Sequence, residues 1–123
     1  MQNYQRIVPS TLAACATLTH AHLSISRSNR SVSWMKMSKD HKALEDADMC
    51  IKLQPEWAKG YYRKGCALRE LLRDEEAILV LQQAVNLAPK DAEIRAKYNE
   101  VKERRSYFPS LQCFLTWDAM LVL

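Results

Sequence analysis

Apolar positions in the middle of the chain recur with a helical period. Ile94, Tyr98 and Val101 fall at i, i+4 and i+7, one stripe of a helix. Leu44, Ile51, Ile78, Leu79, Leu81 and Val85 follow helical spacing as well and are read as core. The pattern predicts helices over roughly 26–37, 40–53, 57–71, 74–87 and 91–105. Ser38 or Asp40 opens the second as N-cap, Asp74 the fourth and Asp91 the fifth, with Glu75 and Glu76 in the favoured first turn. Lys102, Arg104 and Arg105 are expected at the C-terminal end of the fifth, where the helix dipole favours cations. Pro109 is expected to end helical continuity. Only 2 glycines and 4 prolines are present, too few for a turn-rich β chain.

A repeat organises this stretch. Pro55 and Pro89 stand 34 residues apart. At equal distances before them come Leu53 and Leu87, Cys50 and Ala84, Ala43 and Ala77, Trp34 and Leu68, and Ser31 and Gly65. Small residues suit the places where two helices cross, bulky ones fill the space beside the crossing, and proline closes each unit. A period of 34 with this distribution is the tetratricopeptide signature. The expected fold class is all-α: antiparallel helix-turn-helix hairpins stacked as a short superhelix, with residues 26–105 forming two repeats and a closing helix. Residues 1–25 are expected to be an irregular or divergent leader and 106–123 a short hydrophobic tail.

Composition narrows the function. At 123 residues the chain is one domain, and 48% apolar with 26% charged residues excludes wholesale disorder. No run of 18 apolar residues occurs, so no membrane span is expected. The formal net charge of +4 is unevenly placed. Residues 1–39 carry Arg6, Arg27, Arg30, Lys36 and Lys39 and no acid, whereas the remainder is near neutral. That acid-free start, rich in Ser and Thr, also suits an organelle-targeting leader. The basic residues are otherwise interspersed with acids, which speaks against nucleic acid as a partner. Cys15, Cys50, Cys66 and Cys113 form no CxxC pair, and Cys15, His20 and His22 lack a fourth ligand, so neither a metal nor a cofactor is expected. Free thiols point to a reducing, cytoplasmic compartment. With no glycine-rich phosphate loop and no nucleophile motif beside His20, His22 or His41, the chain is read as a non-enzyme.

The informative segment is Trp57-Ala58-Lys59-Gly60-Tyr61-Tyr62-Arg63-Lys64-Gly65. Lys59 and Arg63 at i and i+4 project from one helix face about 6 Å apart. Neither has an acid four residues away: Pro55 and Ala67 occupy those places. Like charges held together are mutually repulsive, and an anionic ligand relieves that. One period before Arg63 stands Asn29, so the two occupy equivalent places on adjacent first helices. Asn29, Lys59 and Arg63 are therefore expected to share one concavity, with Tyr62 and Cys66 lining the groove. An amide and two cations suit a carboxylate.

Ser28-Asn29-Arg30-Ser31, Leu53-Gln54-Pro55-Glu56-Trp57-Ala58-Lys59-Gly60-Tyr61-Tyr62-Arg63-Lys64 and Asn86-Leu87-Ala88-Pro89 carry a more specific likeness. From about Ser28 to Arg105 the chain resembles the second and third repeats and closing helix of a three-repeat co-chaperone domain, of the heat-shock organising protein type. The resemblance implies an adaptor whose carboxylate clamp grips the C-terminal Glu-Glu-Val-Asp tail of the seventy- and ninety-kilodalton heat-shock chaperones. The clamp asparagine of the middle repeat falls on Asn29, and the two cations of the last repeat fall on Lys59 and Arg63. The family's first repeat supplies a further Lys and Asn. Here the register is lost before residue 26: Ala21 takes the proline place and Pro9 the mid-helix small place. The alternative is a repeat scaffold for another partner, or self-association through Leu111, Phe114, Leu115, Trp117, Met120, Leu121 and Leu123.

Overall fold

A computed structural model of the chain describes the backbone of residues 2–121 and the side chains of residues 18–106. The described residues form five helices: α1 Gln2–Lys36, α2 Asp40–Leu53, α3 Ala58–Glu70, α4 Asp74–Leu87 and α5 Ala92–Leu121. Each packs on the next, and α1 also touches α3. The hairpins α1/α2 and α3/α4 thus stack with α5 closing one end, as the 34-residue period requires.

Both hairpin turns are built alike. Ser38 has φ 56° and Leu72 φ 61°, and the two are one period apart. A residue in the left-handed region lets the chain reverse and cap the carbonyls behind it. Lys39 N–H donates to Trp34 O at 2.9 Å, and Arg73 N–H donates to Leu68 O at 2.9 Å. Glycine usually takes this place. Here a serine and a leucine do, and Leu72 is 74% exposed.

The packing core follows the small-residue places. Ala43, Ala47, Cys50, Ala67, Ala77, Leu81 and Ala84 are fully buried. Gly65 marks the closest approach of α3 to α4: a Cβ there would sit 2.5 Å from Leu81 Cγ. Its counterpart Ser31 is also buried, and its hydroxyl donates to Ala43 O at 2.9 Å across the α1/α2 crossing. Ile94 and Val101 of α5 are buried against the second hairpin.

Several expectations need correction. Leu79 is 69% exposed rather than core. The run from Ile78 to Leu81 is apolar throughout, but successive residues turn about 100° around a helix, so one run cannot all face inward. Leu44, Ile51 and Val85 are partly buried. Asp74 is the first helical residue, not the cap; Arg73 holds the cap position and pairs with Glu76 at 2.6 Å. Ser38 and Asp40 flank the cap position of α2, which Lys39 occupies. Asp91 does cap α5, its Oδ1 accepting from the N–H groups of Glu93 (3.0 Å) and Ile94 (3.4 Å).

Helices α1 and α5 reach well beyond their expected ends, and Pro9 and Pro109 fall within their bounds. Proline removes one hydrogen bond of the helical ladder and kinks a helix without having to end it. Arg104 and Arg105 therefore lie mid-helix, where they pair with Asp74 (3.9 Å) and Glu75 (3.2 Å) of α4. Cys15, Cys113 and the apolar side chains proposed for self-association lie outside the described residues.

Candidate functional site

The first turns of α3 and α5 and the last third of α1 border a cavity of about 490 Å³. Ile25, Ser28, Asn29, Trp57, Ala58, Lys59, Arg63, Ala88, Asp91 and Ile94 line it. The structure thus brings Asn29, Lys59 and Arg63 together in one hollow. It arises because Asn29 and Arg63 hold equivalent places on adjacent helices, while Lys59 lies one turn nearer the start of α3.

The cations are available. Among the described residues no ion pair involves Lys59 or Arg63. Their helix neighbours differ: Lys64 pairs with Asp48 at 2.7 Å and Arg69 with Glu100 at 2.9 Å. Arg63 is held in place by neutral contacts. Its Nε donates to the hydroxyl of buried Ser28 at 3.4 Å, and its guanidinium lies 5.3 Å from the centre of the Tyr62 ring. Lys59 is exposed at the rim.

The α1 wall contributes an amide because its arginines are engaged elsewhere. Arg30 Nε donates to Asp46 Oδ2 at 2.7 Å, Arg27 reaches Oδ1 at 3.3 Å, and Trp34 Nε1 donates to Oδ2 at 3.0 Å. Asp46 is 4% exposed. The Arg30 guanidinium, chiefly by hydrogen bonding, holds its carboxyl below the usual range against the opposing effect of burial. This knot lies on the α2 side of α1 and leaves Asn29 facing the hollow.

Tyr62 and Cys66 are placed differently from expectation and do not line the cavity. Tyr62 is 7% exposed and its hydroxyl donates to Glu93 Oε1 of α5 at 2.9 Å. Burial pushes both the Tyr62 phenol and the Cys66 thiol up from their ordinary values. Tyr62 precedes Arg63, so it points about 100° away, into the α3/α5 seam.

The lining residues not read from the sequence are Ile25, Ser28, Trp57, Ala58, Ala88, Asp91 and Ile94. The period held the signal for two pairs: Ile25 is one repeat before Lys59, and Trp57 one before Asp91. Asp46 had a weaker one, since Arg27, Arg30 and Trp34 share a face of α1 but nothing local names the acid they meet. Among the described residues no group of histidine, cysteine or acidic side chains could hold a metal, and no helix is long and apolar enough to cross a membrane.

No protein-family model matches the chain. It is 39% identical over 67 residues, 54% of its length, to tetratricopeptide repeat protein 28 of Mus musculus and, by the same measures, to Protein STIP1 homolog of Dictyostelium discoideum. It spans only 3% and 12% of those two relatives. Among solved structures it superposes on the first TPR of Spaghetti (RPAP3), bound to the HSP90 peptide SRMEEVD, with a TM-score of 0.64 and 22% identity over 68% of each chain. The chain has a tetratricopeptide-repeat fold similar to the repeat domains of these proteins.

Proposed function

We propose that this chain is a non-enzymatic, cytoplasmic adaptor that holds the acidic C-terminal tail of a heat-shock chaperone in a partial carboxylate clamp. The observation that carries the reading is the convergence of Asn29, Lys59 and Arg63 on one cavity, with neither cation paired to an acid among the described residues. Lys59 and Arg63 donate charge-assisted hydrogen bonds to carboxylate oxygens, and the Asn29 amide donates a third. Ile25, Trp57, Ala88 and Ile94 supply apolar walls for the side chains between carboxylates. The repeat unit over residues 26–105 provides all three groups. Likeness to Protein STIP1 homolog and to a repeat domain solved with an HSP90 peptide supports the choice of ligand.

With three polar anchors, affinity for the peptide SRMEEVD is expected on the order of tens of micromolar. A fluorescence-polarisation titration tests this. Added salt weakens the binding, and amidating the peptide terminus removes most of it. Charge-assisted hydrogen bonds contribute about 1.5–3 kcal/mol each, so Lys59→Ala with Arg63→Ala lowers affinity at least tenfold. Unchanged binding after either amidation or the double substitution refutes the clamp.

A further inference from the structure

The cavity is electrically two-sided. Lys59 and Arg63 on α3 form one side, and Asp91 at the start of α5 forms another part of the lining. One period earlier the place of Asp91 is held by Trp57, and one period after Lys59 stands Glu93. Adjacent first helices therefore open with opposite charge: Lys59 on α3, Asp91 and Glu93 on α5. Glu93 is engaged by the Tyr62 hydroxyl. Lys97, at the register of Arg63, pairs with Glu100 at 2.7 Å and so does not extend the cationic side. Asp91 uses only Oδ1 to cap its helix. Its Oδ2 has no partner among the described residues, and Lys90 beside it in the chain does not line the cavity.

We infer that Asp91 is a specificity-determining residue of this groove, selecting peptides with a basic side chain upstream of the anchored carboxylate. The inference rests on the clamp reading. A carboxyl terminus gripped at Asn29, Lys59 and Arg63 leaves the preceding residues to cross Ile94 and the first turn of α5. A cation arriving there meets the free oxygen of Asp91. An acid meets repulsion, so the groove discriminates among acidic tails by where their charge stops. Neighbouring helices pack about 8–10 Å apart, a span of about three extended residues. The discriminating position is therefore no closer than about three residues from the terminus, upstream of the Glu pair, where SRMEEVD carries Met and Arg.

The test uses acetylated seven-residue peptides ending in Val-Asp, with a single Arg or a single Glu walked through the earlier positions. At one or two adjacent positions the Arg peptide is expected to bind about threefold tighter than its Glu counterpart, the size of an exposed ion pair. Asp91→Asn removes the charge and keeps the cap, because asparagine caps helices as well as aspartate does. It should abolish the preference while the peptides still bind. Asp91→Ser, also a capping residue, is the second variant should the first fold poorly. No Arg preference in the parent chain, or a preference that survives both substitutions, overturns the inference. Absence of binding by every peptide to the parent chain, or binding that amidation leaves unchanged, overturns the clamp reading itself and is distinct from a lost preference.

Discussion

The two hairpins make the same helix crossing with opposite chemistry. In α1/α2 the crossing is polar. Ser31 donates across it, Asp46 gathers Arg27, Arg30 and Trp34, and Ser24 donates to Gln54 Oε1 at 2.6 Å. The same registers in α3/α4 carry Gly65, Val80, Tyr61, Lys64, Leu68, Ala58 and Ala88. There Leu81 lies over Gly65 and seals the interface. Backbone geometry survives the exchange, since both turns carry a left-handed residue and the same closing hydrogen bond. The period dictates where the axes approach and leaves open what fills the contact. The first hairpin should therefore respond to pH and salt, and the second to the loss of buried volume.

Truncating Leu81 separates the two most. Leu81→Ala puts alanine where the first hairpin already has Ala47, and leaves the space over Gly65 unfilled. The side chain is fully buried, and the loss is expected to be about 3 kcal/mol, read from the urea midpoint. If the cost is below about 1 kcal/mol, the second hairpin does not depend on apolar filling.

Asp46→Ala probes the polar side. It removes four hydrogen bonds, one from Arg27, two from Arg30 and one from Trp34 Nε1, but Arg30 is half exposed and can turn to water. About 2 kcal/mol is expected at neutral pH. The folded carboxyl titrates below its ordinary 3.8. Its contribution is therefore complete above that value and fades as pH falls through the lower, folded one. The gap between parent and variant should be full at pH 7 and shrink below about pH 4. A gap that stays constant down to pH 2 contradicts an ionised, hydrogen-bonded Asp46.

The turns give the smallest effect. A leucine in the left-handed region is strained by roughly 1–2 kcal/mol, part of which glycine returns to flexibility in the unfolded chain. Leu72→Gly should raise stability by up to about 1 kcal/mol, and Ser38→Gly by less, since a short polar side chain tolerates that conformation better. Differential scanning fluorimetry of the two variants checks the order.

The sequence made the hairpins legible because prolines, small residues and turns repeat at one interval, and the bounds of α2, α3 and α4 follow within a residue. The cationic pair was legible because the absence of acids at i±4 is a local property. Tyr62, Cys66 and Leu79 went astray because each depends on which side of a helix a neighbour covers, which spacing along one helix does not encode. Asp46 was hidden for a related reason: its partners lie 12 to 19 residues away on another helix. The helix bounds past residues 26 and 105 escaped because loss of the repeat register at one end and proline at the other were treated as terminators.

Two of the indoles sit at the places where the hairpins differ. Trp57 borders the hollow between α1, α3 and α5, whereas Trp34 donates to Asp46 and lies under Lys39 and Lys42 at 5.4 and 4.9 Å. The molecule thus carries its own optical probes. With the third, Trp117, replaced by phenylalanine, emission from Trp57 registers occupancy of the hollow, while quenching of Trp34 tracks the opening of the carboxylate knot during acidification.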